Sequence, residues 1–185
     1  MPATTLTNSY DAAFVAEVRR ESEQNLALCY QCGNCTAGCP VSFAYDFPVN
    51  QIMYLVQTGR KMEALTSHAI WLCASCETCT TRCPNDIDVA RVMDVLRHMA
   101  RRENLVAEHS IHAFWNSFLS SVERYGRVFE LGLMASYIGK TGRVLTDADL
   151  APVALRKGKL TFKPHDIHGV AEVRDIFKRY REHRS

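Results

Sequence analysis

Four cysteines and a closing proline occupy the twelve residues CYQCGNCTAGCP from Cys29 to Pro40, and the same spacing returns in CASCETCTTRCP from Cys73 to Pro84. All eight cysteines of the chain, Cys29, Cys32, Cys35, Cys39, Cys73, Cys76, Cys79 and Cys83, fall within these two stretches, which are offset by 44 residues. No other feature constrains the fold as tightly. Thiols this close in sequence are poorly placed for structural disulfides, and a reducing compartment keeps them as thiols. They are well placed to hold metal. Two all-thiolate zinc sites are the simplest alternative, but zinc usually draws two ligands from each of two separated CxxC knuckles. Here three thiols recur at every third residue, and a fourth follows three residues further on, just before the proline.

Three closely spaced thiolates suit three corners of a [4Fe-4S] cubane, which needs one thiolate on each of its four irons. The run CxxCxxCxxxCP is that of two-cluster bacterial ferredoxins, in which the last cysteine of each motif ligates the other cluster. Carried over to these residues, the pattern implies one cluster on Cys29, Cys32, Cys35 and Cys83, and a second on Cys73, Cys76, Cys79 and Cys39. Two [4Fe-4S] clusters are therefore the expected cofactors. Pro40 and Pro84 fix the backbone as the chain leaves each motif and offer no amide proton there.

The surrounding sequence is written at helical period. After Pro40 comes VSFAYDF, in which SFAYDF is expected to bring aromatics near a cluster. PVNQIMYLVQTG follows, with Val49, Ile52, Met53 and Val56 on one stripe. Pro48 suits the first turn, Asp46 is the expected cap and Gly59 the stop. After Pro84, Val89, Val92, Met93, Leu96 and Met99 form a second stripe, and matching Val49 with Val89 shortens the offset from 44 to 40. The first half thus carries four additional residues as a loop. Both stripes, methionines included, read as core. The stretches 11–23 and 59–73 also read as helix, and strand alternation is missing, so the core is not built on short strands as in a small bacterial ferredoxin. The expected fold is an all-α, alpha-helical ferredoxin-like core with additional C-terminal helices and a basic arm.

Downstream, Ile111, Phe114, Trp115, Phe118, Leu119, Val122 and Tyr125 recur at helical intervals, and another helix is expected to start near Val128. This aromatic face either closes the core or meets a partner. The expected division is 1–105 for the two-cluster domain, 106–140 for a helical extension, and 141–185 for a basic arm and terminal docking helix. Residues 156–185 hold nine Lys or Arg against four Asp or Glu, whereas the first 155 residues hold 13 against 16. That tail is a solvated helix face or a docking surface for an acidic partner. No nucleic-acid motif accompanies the charge. No run of eighteen apolar residues and no signal sequence is legible, so no direct membrane span and a cytoplasmic location are expected. Seven histidines are present; His165 and His168 lie in the basic arm without cysteine or carboxylate company and read as surface residues. Tyr30 and Trp71 are placed either to shield clusters or simply to pack.

CYQCGNCTAGCP and CETCTTRCPNDIDVARVMDVLR resemble the corresponding segments of the small iron-sulfur subunit, the C subunit, of heterodisulfide reductase. The resemblance implies a small helical protein with two [4Fe-4S] clusters, part of a hetero-oligomer. It would relay electrons between a flavin-containing subunit and a CCG-domain subunit, the latter holding a disulfide-reducing site built on CCG motifs. This chain has no adjacent Cys-Cys pair, and its cysteines are committed to clusters, so no catalytic residue is expected here. An iron-sulfur subunit of a quinone-linked fumarate or succinate enzyme is an alternative, but the plant-type CxxxxCxxC motif generally found in that group is absent. A regulatory or structural metal protein binding nucleic acid through the basic tail is the third reading.

Overall fold

The computed structural model describes residues 10–143, 151–158 and 163–182. Every regular element among them is helical, with no strand, which is the class that the sequence implies. The chain divides into two compact units, one ending at Glu108 and the other starting at His109.

In the first unit, α1 (Ala12–Ser22) begins where the Asp11 carboxylate accepts the amide of Phe14 at 2.9 Å, a cap that stabilises a helix by about 1 kcal/mol. Two short helices lie inside the cysteine motifs, α2 (Asn34–Ala37) and α6 (Thr78–Thr81), again 44 residues apart. Each motif is followed by a longer helix, α3 (Val49–Gln57) and α7 (Val89–Arg102). The stripes predicted on these two helices are the core: Val49, Ile52, Met53 and Val56, and Val89, Val92, Met93, Leu96 and Met99, are all buried, together with Phe14 and Val18 of α1. Each such side chain contributes about 1.5–3 kcal/mol relative to exposure.

Two local expectations are corrected. Residues 59–73 are not one helix but two, α4 (Lys61–Leu65) and α5 (Ala69–Leu72). The reason is Asp46. Its carboxylate does not cap α3, whose N-cap is Pro48 without a side-chain bond. Instead it accepts the amides of His68 and Ala69 and the hydroxyl of Ser67 at 2.8–2.9 Å, starting α5 afresh. Burial alone would raise this carboxyl, but the bonds from His68, Ser67, Ala69 and Phe47 outweigh it and hold the group below the usual carboxylate range. Gly59 does end the preceding turn, at φ +65; a Cβ there would lie 2.6 Å from the backbone nitrogen of Asp11.

Within the second unit, α8 (His109–Tyr125) packs on α9 (Glu130–Thr141) through aromatic pairs such as Phe114 and Tyr137, whose ring centroids are 6.1 Å apart. A short helix, α10 (Ala151–Arg156), lies within the expected basic arm; residues 144–150 and 159–162 of that arm lie outside the described residues. The basic terminal helix α11 (Val170–Glu182) is not separate from the preceding extension. Arg181 pairs with Glu123 of α8 at 2.8 Å, and Arg174 donates to the Arg124 carbonyl at 2.9 Å. Of the described residues in this unit only Ser117 is fully buried. Its side chain lies between Ser136 and Lys140, at 2.9 and 3.0 Å.

Candidate iron-sulfur centre

The duplication seen in the spacing is repeated in the backbone. Gln31 and Ser75 both adopt positive φ, as do Gly33 and Glu77, so each CxxCxxC loop turns through left-handed residues at the same two places. Such turns present successive thiols to one side of the loop. Burial follows the same register: Cys35 and Cys79 are buried, Cys32 and Cys76 exposed, and the remaining four intermediate.

Two small cavities result. One, of about 310 Å³ counting its open mouth, is lined by Cys29, Cys32 and Cys35 and by Cys83 from the second motif, with Asn50, Met53 and Val89 among its other walls. The other, of about 340 Å³, is lined by Cys73, Cys76 and Cys79 and by Cys39 from the first motif, with Tyr45, Val49 and Met93. Each cavity is thus lined by three cysteines of one motif and the last cysteine of the other. The paired helices cross-serve them: α3 gives Met53 to one and Val49 to the other, and α7 gives Val89 to the first and Met93 to the second.

The donor set fits the group expected there. Four soft sulfur donors face an otherwise largely apolar space, the chemistry that selects iron-sulfur clusters over oxygen-seeking ions. All eight cysteines are free of disulfides. Burial pushes the Cys79 thiol up to about 11 and raises Cys35 as well, whereas a hydrogen bond with the Thr78 hydroxyl lowers the exposed Cys76. The two buried thiols thus hold their protons more firmly than an exposed thiol does, and a metal bound there would release them.

Around the thiols lies a polar shell that local sequence pattern does not announce. Gln57 donates through Nε2 to the carbonyls of Leu26 and Cys29, both at 2.8 Å. Arg97 donates to those of Ile70 and Cys73 at 2.7 and 2.8 Å. Gln31 reaches Cys29 Sγ at 3.5 Å and Gln57 Oε1 at 3.0 Å. Of the aromatics in SFAYDF, Tyr45 lines the second cavity, where burial and the neighbouring Cys73 and Cys39 thiols suppress its ionisation. Phe43 points away and is 87% exposed. Tyr30 is 64% exposed and shields little, while Trp71 is buried in the core. His165 and His168 are exposed.

A family model described as 4Fe-4S dicluster domain matches residues 25–87. These residues form an iron-sulfur domain. The C subunit of the H(2):CoB-CoM heterodisulfide,ferredoxin reductase of Methanothermobacter thermautotrophicus is 30% identical over 97 residues, 52% of either chain. The iron-sulfur C subunit of the CoB--CoM heterodisulfide reductase of Methanopyrus kandleri is 32% identical over 90 residues, 48% of this chain and 47% of its own. The C subunit of the Ferredoxin:CoB-CoM heterodisulfide reductase of Methanosarcina acetivorans is 35% identical over 91 residues, 49% of this chain and 36% of its own. The resemblance read from the two motifs therefore holds, although the chain spans about half the length of these relatives or less. Among the described residues, no helix is long and apolar enough to cross a membrane.

Proposed function

We propose that this chain is the electron-relay subunit of a heterodisulfide reductase-type complex in the cytoplasm. It would carry two [4Fe-4S] clusters and pass electrons between a flavin-containing subunit and a CCG-bearing, disulfide-reducing subunit. The observation that carries this reading is the crossed lining of the two cavities, three thiols from one motif and a fourth from the other. When bound, each cluster supplies a one-electron couple delocalised over iron, sulfide and thiolate.

The chain's own part is to hold, separate and insulate. Cys29, Cys32, Cys35 and Cys83 are the proposed ligands of one cluster, and Cys73, Cys76, Cys79 and Cys39 those of the other. Met53, Val89, Val49 and Met93 exclude water from the inner walls, and exposed Cys32 and Cys76 mark the edges nearest solvent, where a partner approaches. No nucleophile, acid or base is required for the transfer itself. Partner docking is supported by the second unit, where Phe114, Trp115 and Met134 remain about 40% exposed, an aromatic-rich surface of the kind enriched at interfaces.

Anaerobic purification of the native assembly, with iron, acid-labile sulfide and zinc measured on the isolated chain, tests the reading. About eight irons per chain and a CCG-bearing companion are expected. Two zincs without sulfide, or stable isolation without companions, would contradict it.

A further inference from the structure

Gln57 and Arg97 are counterparts. They lie 40 residues apart, the offset of the paired valines Val49 and Val89, and each clamps two carbonyls that are themselves 44 residues apart: Leu26 and Ile70, Cys29 and Cys73. In both halves the clamp spans the carbonyl of the first cysteine and the one three residues before it. The geometry is the same and the charge is not. Gln57 is neutral and continues into a second neutral amide, Gln31, which reaches Cys29 Sγ. The Arg97 side chain carries a full positive charge and is only 13% exposed.

The opposing charges near the second cavity are less sheltered. Asp94 lies 3.2 Å from Arg97 but its side chain is 49% exposed, and Glu77, at the position of Gly33 in the first motif, lines the second cavity as an exposed residue. Solvent and salt weaken exposed charges far more than a buried one. The Gln31 amide acts on a single sulfur as a neutral donor, the weaker class of hydrogen bond. A cation so largely sheltered from water instead favours any added electron on the whole cluster beside it, since local charge is one of the levers on cluster potential.

We propose that the Gln57/Arg97 exchange orders the two clusters in potential, making the one held by Cys73, Cys76, Cys79 and Cys39 the more easily reduced. This rests on the two-cluster reading above. Arg97 is here a tuning and positioning residue, and no electron passes through it.

Redox titration of the loaded full chain, followed by electron paramagnetic resonance, distinguishes the outcomes. Two couples are expected. Arg97→Gln keeps a two-donor clamp of the Gln57 kind and is expected to lower the higher couple by about tenfold or more in its reduction equilibrium, about 59 mV for one electron. Gln57→Arg is expected to raise the lower couple, so either substitution narrows the gap. Arg97→Lys keeps the charge but not the fork, and is expected to hold the gap while lowering the thermal unfolding midpoint. A gap unchanged in Arg97→Gln, a shift confined to the lower couple, or Arg97→Lys matching Arg97→Gln in potential would overturn the inference while leaving two clusters in place. Absence of iron and sulfide from the wild-type chain would overturn both this inference and the reading on which it rests.

Discussion

Thr36 and Thr80 make the same bond on opposite halves of the first unit. The Thr36 hydroxyl accepts the amide of Asn50 at 3.0 Å and donates to the Asn50 side-chain oxygen at 2.7 Å; the Thr80 hydroxyl accepts the amide of Ala90 at 3.1 Å and donates to the Asp88 carboxylate at 2.9 Å. Each thus ties a short helix of the cysteine motif to the first turn of the long helix that follows. The register between thiols and core is set at these two points.

Replacing Thr80 by Val conserves shape but leaves the Ala90 amide without its acceptor. A loss of about 1–3 kcal/mol is expected, which for a unit of this size lowers the thermal midpoint by roughly 4–8 °C per kcal/mol. Thr36→Val is expected to behave alike. An unchanged midpoint in both would show that the register is held elsewhere.

If ligation is crossed as proposed, the cysteines fall into two groups. Cys83→Ser is expected to perturb the same paramagnetic signal as Cys29→Ser, and Cys39→Ser the same signal as Cys73→Ser, each with loss of up to about half the iron. Should Cys83→Ser instead group with Cys73→Ser, each motif would be serving its own cluster.

Glycine positions separate space from backbone strain. Gly33 has φ +81 with nothing near its missing Cβ, so Gly33→Ala is expected to cost only the left-handed penalty of about 1–2 kcal/mol. Gly59→Ala adds a collision with the backbone at Asp11 and is expected to destabilise by clearly more. Chemical denaturation of the two variants side by side is the check. Equal losses would mean that α1 moves aside freely.

Asp46→Ala removes the carboxylate that starts α5, and about 1–3 kcal/mol is expected to be lost. Because the folded carboxyl is held below its ordinary value of 3.8, its contribution is fully present above that value and fades only as pH falls through the lowered one. The difference between wild type and Asp46→Ala is therefore expected to stay constant from about pH 5 to pH 8. A difference that shrank across that range would contradict this assignment.

The helical class, the two core stripes and the eight thiols are legible in the sequence because they rest on local periodicity and spacing: Val49 to Val56 and Val89 to Met99 need no knowledge of distant partners. Asp46 misleads because a cap is judged from adjacent sequence, and its real partners lie at Ser67, His68 and Ala69, more than twenty residues on. Gln57 and Arg97 stay hidden for the same reason. Each sits on a long helix as an ordinary polar residue, and only the fold carries it to the carbonyls of the opposite end of its repeat. Their common offset of 40, that of the paired valines, is the one available signal.

Each cavity is proposed to hold a cubane completed by a cysteine from the other motif. Anomalous diffraction at the iron edge, on crystals of the anaerobically purified chain, tests it directly. Two four-iron centres are expected, one bonded to Cys83 beside Cys29, Cys32 and Cys35, the other to Cys39 beside Cys73, Cys76 and Cys79. Single metal ions, or Cys39 and Cys83 each bonded within its own triplet, would contradict it.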